Sequence, residues 1–347
     1  MSRTSDDVAD SQAPLALARL LHGGYLSQAI YVAARLGIPD QLADGALTSA
    51  ELAGRTGADA HSIHRLMRSL AAVDVFRQAG PDSFELAPIG RLLRASESAT
   101  MRPYALVLGE LQYEAWGDLL YTIQTGRPAY PHVAGKTFME HLQADPQAGK
   151  LFTEAMRGLR DRDTPAFVAA YDFSGCRQVV DVGGANGALL IAILKANPSL
   201  HGVLLDLPQV AEGARKNVAA AAVDGRCEVV GGDFSKEVPA GGDVYILSRI
   251  VQGLDDAKAV ALLTRCREAM STGGRVLVSE VMVDRGDITL TRLQDLQMLV
   301  IAGGGLRTEG EHTALLARAG LTVERVIGIP AAIPHAIVEG VATMARS

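Results

Sequence analysis

The chain has 347 residues, of which 48% are hydrophobic and 21% are charged. This length suggests two or three domains, and the apolar fraction is high enough to exclude a disordered, collagen-like or disulfide-stapled chain. The formal net charge of −6 excludes the broad positive field that holds a phosphate backbone, so we expect no nucleic-acid partner.

Cysteine usage and the amino-terminal residues indicate the compartment. The three cysteines are widely spaced and form no CxxC pair, which predicts neither a disulfide framework nor a zinc site. No HxH or HExxH pattern is present, so we expect no metal. The polar amino terminus has no apolar segment behind it, and no run of about 18 apolar residues occurs, which predicts a cytoplasmic protein without a membrane partner.

The sequence pattern changes character once along the chain. Residues 13–172 are almost wholly helical in pattern, whereas the chain from Arg177 onward alternates short β-branched runs with helical segments. We therefore predict a helical domain over 1–100, a helical linker region over 101–172 and an α/β domain over 173–347. The apolar segment 14–36 has few charges, which favours an oligomerisation helix over an ordinary core helix.

Residues 47–94 have the pattern of a winged helix-turn-helix. Thr48 and Glu51 form a capping-box pattern, a helix follows, Gly57 marks a turn, and a second helix over 60–73 leads into two short apolar runs. Such a unit can bind DNA through its second helix or serve only as a dimerisation scaffold. Residues 1–100 hold 9 Arg, no Lys and 11 acidic residues, and this net charge of −2 favours the scaffold.

The helical linker region contains several aromatic and methionine side chains. At helical spacing these residues are typical of a plain core. Here they lie just before a predicted ligand-binding domain, in a chain with only 5% aromatic residues, so lining of a substrate pocket is the alternative. The candidates for that role are Tyr113, Trp116, Phe152 and Met156.

The second domain opens with a strand, a glycine-rich turn and a helix. A short β run over 177–183 ends in a carboxylate, Asp181, and a glycine, Gly183. Gly183 and Gly184 belong to the turn, and a helix is predicted over 188–196. The turn matches neither the dinucleotide fingerprint nor a phosphate-binding loop. Its close backbone approach and helix N-terminus suit a zwitterionic amino-acid group better than a chain of phosphates.

Two further acids end the next two predicted strands. Asp206 precedes Leu207, where a helix starts, and occupies the position that normally holds a ribose diol. Asp233 precedes Phe234, an acid and an aromatic that suit an adenine amino group and ring face. Each acid alone is often just a helix cap. Three such acids at the carboxyl ends of consecutive strands predict a ligand that contains a nucleoside and no pyrophosphate, of which S-adenosylmethionine is the common example.

These motifs together resemble a known family over nearly the full chain. It is the S-adenosylmethionine-dependent small-molecule methyltransferases of the caffeate and polyketide O-methyltransferase type. The matching stretches are VVDVGGANG (179–187), LDLPQV (205–210), GGDF (231–234), YILSRIVQGLDD (245–256), VSE (278–280) and GGGLRTEGE (303–311). Four phrases further resemble the phenazine-1-carboxylate N-methyltransferase branch: YVAARLG (31–37), IHRLMRSL (63–70), ILSRI (246–250) and CREAM (266–270).

The resemblance implies a fold, a cofactor and a set of contacts. The expected fold is an α/β Rossmann-like class I methyltransferase domain, with a mainly helical winged-helix N-terminal domain that forms a homodimer. The expected cofactor is S-adenosyl-L-methionine. The cofactor contacts that the resemblance implies, beside Asp181 and Leu207 from the pattern above, are Gly183, Gly184, Asp206, Asp233, Phe234, Ser248 and Arg249.

The chain departs from the family at the catalytic position. O-methylating members carry a histidine there, the general base that takes the proton of the acceptor hydroxyl, and this chain has Gln252. A carboxamide cannot act as that base. Of the two acids that flank the histidine in the family, Glu280 is retained and the other position is Leu306.

Methyl transfer can proceed without a base when the acceptor atom is already electron-rich. We therefore predict N- or O-methylation of a ring nitrogen or an acidic hydroxyl on an aromatic or heteroaromatic, phenazine-like or polyketide-like secondary metabolite. Gln252 would position the acceptor or be a solvated helix-start residue, and Glu280 would orient the substrate or bond nearby backbone. Asp295 and Met298 match the family's substrate-facing helix, with a cap or surface acid and ordinary packing as the alternatives.

Two other functions remain open at this level. Some family members bind the cofactor without transferring its methyl group and catalyse hydroxylation, decarboxylation or pericyclic rearrangement, and the missing histidine permits that. The third possibility is a ligand-sensing regulator built on the winged helix.

Overall fold

The computed structural model describes residues 5–97, 100–330 and 335–342, with side chains from residue 12 onward. The chain forms two compact units. The first takes in the described residues of Met1–Glu114 and Met139–Gly158, and the second those of Ala115–Phe138 and Leu159–Ser347. Among the described residues, no helix combines the length and the apolar character needed to cross a membrane.

Twelve α-helices and one π-helix precede the large sheet in the described part of the chain. They are α1 (Ser5–Leu21), α2 (Gly23–Arg35), α3 (Ile38–Gln41), α4 (Ser49–Thr56), α5 (Ala60–Ala71), α6 (Pro88–Arg91), α7 (Arg102–Leu106), the π-helix (Val107–Gln112), α8 (Tyr113–Gly117), α9 (Leu119–Thr125), α10 (Ala129–Ala134), α11 (Phe138–Ala144) and α12 (Pro146–Ala170). The predicted segment 14–36 is therefore not one helix. It is divided at His22 into α1 and α2, and α2 begins with Gly23 and Gly24, two residues of low helix propensity.

The first unit contains the two helices and the hairpin predicted for residues 47–94. The capping box before α4 is present, because the Thr48 hydroxyl accepts from the Glu51 amide at 3.2 Å and the Glu51 carboxylate accepts from the Thr48 amide at 2.8 Å. Helix α5 ends at Ala71, two residues earlier than predicted. Strands β1 (Leu47–Thr48), β2 (Phe76–Gln78) and β3 (Ser83–Leu86) form a small antiparallel sheet in the order β1-β3-β2.

The second unit is built on a seven-stranded sheet in the order β6-β5-β4-β7-β8-β10-β9. Its strands are β4 (Gln178–Val182), β5 (His201–Asp206), β6 (Cys227–Gly231), β7 (Val244–Ser248), β8 (Arg275–Glu280), β9 (Leu321–Ile329) and β10 (His335–Ala342). The first five of these in chain order are parallel, and β10 pairs antiparallel with both β8 and β9. The strand order reverses at β4, because β5 and β6 lie on one side of it and β7 and β8 lie on the other. Ligands bind at such a reversal point in parallel sheets.

Helices cover both faces of this sheet. They are α13 (Ala188–Ala196), α14 (Pro208–Ala220), α15 (Asp256–Ala269), α16 (Ile288–Ala302) and α17 (Glu309–Arg318), and two 3₁₀ turns lie at Asp224–Arg226 and Val251–Gly253. Alternate strand residues pack on opposite sides: Val180 and Val182 belong to the core with α15 and α17, and Val179 to the core with α13. Because β4 to β8 are parallel, their carboxyl ends lie along one edge of the sheet.

Candidate active site

The turn after β4 is closely packed against its own acid. Gly183 has φ of +74°, in the left-handed region, and a Cβ at Gly184 would lie 2.7 Å from Oδ2 of Asp181 and 2.8 Å from Leu204. The turn therefore needs glycine at both positions. Asp181 is 2% exposed, and Oδ2 has no hydrogen-bond partner among the described residues. Burial, and next the charge of Asp206, raise the pKa of Asp181 to about 7, while Arg160 opposes the shift.

Asp206 ends β5 and holds the glycine-rich turn from its neighbour strand. Its Oδ2 accepts from the Ala185 amide at 2.8 Å and its Oδ1 from the Leu207 amide at 2.7 Å. Ala185 has φ of +51°, a left-handed conformation that is costly for a residue with a Cβ. The carboxylate thus fixes the turn and still has acceptor capacity, because each of its oxygens carries two lone pairs. The Leu207 side chain is 42% exposed.

Asp233 and Phe234 follow β6 at the same edge. Asp233 Oδ1 accepts from the Ser235 amide at 2.9 Å, and this hydrogen bonding lowers the pKa of Asp233, so the group is anionic at neutral pH. The Phe234 ring reaches the glycine-rich turn, since its Cε1 would be 3.7 Å from a Cβ placed on Gly183. Asp181 and Asp206 therefore contact the turn directly, and Asp233 lies at the end of the next strand, beside a ring that reaches it.

The last residue of β7 and the residue that follows it complete this edge. Ser248 is the last residue of the strand. Arg249 has φ of +58°, its amide donates to Ser279 O at 2.9 Å, and its guanidinium is 2.5 Å from the buried carboxylate of Asp163 on α12. The Arg249 side chain thus already has a counter-ion.

A cavity joins the glycine-rich turn to helix α12. Its walls include Asp181, Gly183, Gly184, Ser248 and Arg249 from the strand ends, and it is also lined by Arg160, Asp163, Thr164 and Phe167 from α12. The α12 residues were not predicted, because they belong to no motif and lie in a segment whose pattern indicates only a helix.

Gln252 lies on the 3₁₀ turn Val251–Gly253, directly after this edge. Glu280 at the end of β8 accepts from the Val251 amide at 2.7 Å and from the Gln252 amide at 3.3 Å. Arg307 donates to Val251 O at 2.8 Å and to Leu254 O at 2.7 Å. Gln252 itself is half-buried, with a buried Oε1 that has no hydrogen-bond partner among the described residues, so it is not a solvated helix-start residue.

Glu280 is fully buried, and one of its oxygens is committed to the backbone. Burial raises its pKa to about 8, against the opposing effect of the amides that it accepts from. This geometry favours the backbone-binding alternative for Glu280 over direct contact with substrate. Its Oε2 has no hydrogen-bond partner in the part of the chain that the structure describes.

The candidate substrate residues divide between the two units. Tyr113, Phe152 and Met156 belong to the first unit, on α8 and α12, and Trp116, Asp295 and Met298 belong to the second. The Trp116 indole donates to Gln297 on α16. Asp295 Oδ1 accepts from the Leu306 amide at 2.6 Å, so this half-buried acid binds the segment after α16 and is neither a helix cap nor a surface acid. Met298 would be 3.7 Å from a Cβ on Gly304, an ordinary packing distance.

The residues at this edge fit an adenosyl sulfonium with an amino-acid tail. The glycine turn exposes backbone without side chains, because its neighbours leave no room for a Cβ. Asp206 and Asp233 are acceptors suited to hydroxyl and amino groups, and Asp181 provides a buried oxygen without a partner among the described residues. Among the described residues, the turn itself has no lysine that could bind a pyrophosphate.

Comparison with known proteins agrees with this geometry. The chain matches the O-methyltransferase domain over residues 116–322 and the O-methyltransferase dimerisation domain over residues 18–96. It is 41% identical to a phenazine O-methyltransferase of Lysobacter antibioticus, with 93% of this chain and 94% of the relative covered. It is 37% identical to a phenazine-1-carboxylate N-methyltransferase of Pseudomonas aeruginosa, with 90% and 93% covered.

A similar solved structure contains bound S-adenosylmethionine. The chain is similar to the O-methyltransferase of neocarzinostatin biosynthesis in complex with S-adenosylmethionine and 2-hydroxy-5-methyl naphthoic acid, with a TM-score of 0.74 and 37% identity over 91% of this chain and 96% of that one. The class I fold, the cofactor and the family predicted from the motifs are confirmed. This protein belongs to the S-adenosylmethionine-dependent O-methyltransferase family and is a methyltransferase.

Proposed function

We propose that this methyltransferase acts on a ring nitrogen or an ionised hydroxyl of a flat aromatic or heteroaromatic secondary metabolite, phenazine-like or polyketide-like. The proposal rests on one observation: residue 252 is a glutamine, on a turn whose backbone is held in place by other side chains. The 3₁₀ turn that bears it contains no titratable side chain, and Glu280 and Arg307 hold its backbone on both sides. The relatives named above act on phenazines, and they methylate at oxygen or at nitrogen.

The energetics of methyl transfer allow a site without a base. S-adenosylmethionine supplies a methyl group on a sulfonium, which is a good leaving group. Proximity and orientation contribute about 7–11 kcal/mol to such a displacement, whereas a general base contributes about 10²–10⁴ in rate. An acceptor with a free lone pair at neutral pH needs only proximity and orientation, and no general base. We assign Gln252 to hydrogen bonding and positioning of that acceptor.

We assign the cofactor to the edge formed by β4 to β7. Gly183 and Gly184 would contact it through the backbone, Asp206 would bind the ribose diol, Asp233 would accept from the adenine amino group, and Phe234 would cover the ring. Asp181, Leu207, Ser248 and Arg249 complete the proposed set. The support is that Asp181 and Asp206 contact the glycine turn, that the Phe234 ring reaches it, and that Ser248 and Arg249 line the same cavity.

We further infer a homodimer formed through the first unit. The dimerisation-domain match covers residues 18–96, and α1 and α2 carry large apolar side chains that are more than half exposed in the single chain. Those side chains are Leu15, Leu17, Leu20, Leu21 and Tyr25. Sedimentation of the full chain tests this, and a monomer at micromolar concentration would contradict it.

The proposed activity is tested with cofactor that carries a labelled methyl group. Purified protein is incubated with this cofactor and with phenazine-1-carboxylate, a hydroxyphenazine or a hydroxynaphthoate, and products are resolved by mass spectrometry. We expect one labelled methyl in the product for each S-adenosylhomocysteine formed. Conversion of an acceptor without label would instead indicate a non-methylating reaction.

A further inference from the structure

Arg160 is the one arginine among the cavity's lining residues without a side-chain partner in the described part of the chain. It lies on α12, it is half-buried, and its buried Nε has no hydrogen-bond partner. The neighbouring Arg249 differs, because its guanidinium is 2.5 Å from Asp163. Asp163 is therefore already committed, and its charge does not balance both arginines.

The acids near Arg160 do not replace that missing counter-ion. Burial, and next the positive charge of Arg249, lower the pKa of Arg160, while Asp161, Asp181 and Asp206 act in the opposite direction. No ion pair joins Arg160 to any of them within 4.0 Å among the described residues. Asp206 is bound to the amides of its own edge, and Asp181 is only partly ionised at neutral pH. A half-buried guanidinium with a buried, unpartnered Nε and no paired anion is unfavourable, so the cavity is suited to an anion beside Arg160.

We propose that Arg160 binds the carboxylate of the cofactor's amino-acid tail. A guanidinium presents parallel donors that match a carboxylate in a bidentate pair. Arg160 shares this cavity with the glycine turn and the ends of β4 and β7, which we assign to the cofactor. We therefore assign the carboxylate to the cofactor and not to the acceptor. The inference rests on the proposed cofactor site and extends it, since it places the amino-acid tail on the α12 side and the adenosyl group toward Asp206 and Asp233.

The test compares two ligands that differ in one carboxylate. S-adenosylhomocysteine has the full tail, and S-adenosyl-3-thiopropylamine keeps the amine and lacks the carboxylate. Calorimetry is performed on the wild type, on Arg160→Gln and on Arg160→Lys. The matched control is Arg157→Gln, an exposed arginine one turn earlier on the same helix. Thermal melting verifies that each variant is folded.

We expect the wild type to bind S-adenosylhomocysteine about 30- to 100-fold more tightly than the thiopropylamine, in line with a lost charged hydrogen-bond pair. Arg160→Gln should remove this preference by weakening only the carboxylate-bearing ligand, Arg160→Lys should retain part of it, and Arg157→Gln should leave it unchanged. Equal affinities in the wild type, or an unchanged preference in Arg160→Gln, would overturn the proposal.

Two other outcomes separate this inference from the site it rests on. If the folded wild type binds neither ligand, the proposed cofactor site itself is wrong. If Arg160→Gln keeps the full preference for S-adenosylhomocysteine but raises KM for phenazine-1-carboxylate, the arginine binds the carboxylate of the acceptor, and our assignment to the cofactor is wrong.

Discussion

Glu280 and Arg307 bind the same 3₁₀ turn through opposite groups of its backbone. Glu280 accepts from the amides of residues 251 and 252, and Arg307 donates to the carbonyls of residues 251 and 254. The acid comes from the end of β8 and the arginine from the segment before α17. Gln252 is thereby held on a turn that is bound from both sides, at the position where the sequence resemblance predicts the family's base, and this links the proposed mechanism to the sheet.

The first prediction concerns Gln252 itself. Because a positioning carboxamide contributes orientation and no proton transfer, Gln252→Ala should lower kcat by about ten- to fifty-fold, equivalent to about 1.4–2.3 kcal/mol. Binding of S-adenosylhomocysteine, measured by calorimetry, should be unchanged. A loss of kcat above about 10⁴ would show that Gln252 takes part in the chemistry directly.

The second prediction concerns Arg307. Arg307→Met removes two charged hydrogen bonds to buried carbonyls and should destabilise the protein by about 2–3 kcal/mol, with a loss of kcat larger than the loss of cofactor affinity. Asp256→Asn is the control, since it leaves both carbonyl bonds in place and removes a carboxylate that is 61% exposed. That carboxylate pairs with Arg307 at 3.0 Å and with Arg318 at 3.5 Å, and each pair is worth about 0–1 kcal/mol. Equal melting temperatures for the two variants would refute the role of the carbonyl bonds.

Much of this arrangement follows from local sequence rules. The acids Asp181, Asp206 and Asp233 could be placed together because parallel strands end at one edge, and α13 was predicted with its observed bounds, Ala188–Ala196. The break at His22 and the end of α5 at Ala71 were missed, because boundaries depend on a few weak propensities.

The rest depends on tertiary contacts that no spacing reveals. Arg160 is more than 20 residues from the glycine turn and carries no motif, so only the packing of α12 on the sheet brings it to the cavity. The sequence left Glu280 open between substrate and backbone, and only the geometry of the 3₁₀ turn shows that its Oε1 accepts two amides. The antiparallel pairing of β10 with β8 likewise has no signal in the motifs.

The third prediction concerns the glycine turn. Gly184→Ala should destabilise the protein by about 1–3 kcal/mol and weaken S-adenosylhomocysteine at least tenfold, because the new Cβ would lie 2.7 Å from Asp181 and 2.8 Å from Leu204. Gly213→Ala on α14 is the matched control. It has no atom within 4 Å of the new Cβ, and it should raise stability by about 0.5–1 kcal/mol. Similar effects of both substitutions on binding would contradict the proposed role of the glycine turn.

The fourth prediction concerns Asp206. Asp206→Ala should weaken S-adenosylhomocysteine by about 1–3 kcal/mol, because it removes the proposed ribose contact and also frees the Ala185 amide. Asp206→Asn keeps the shape and should lose less. Asp224→Asn, an exposed acid on the other 3₁₀ turn, should have no effect. Unchanged affinity of the alanine variant in calorimetry would exclude Asp206 from the cofactor site.

The last prediction uses the titration of Glu280. Its pKa is raised from 4.5 to about 8 in the folded protein, so between these values the folded state holds a proton that the unfolded state releases. Stability must therefore fall as pH rises through this window, by at most about 1.4 kcal/mol per pH unit from this one group. Glu280→Gln keeps an acceptor for the two backbone amides and removes the titration. The melting temperature of the variant relative to the wild type should rise steadily from pH 5 to pH 8, and a constant difference would mean that Glu280 is ionised in the folded protein throughout.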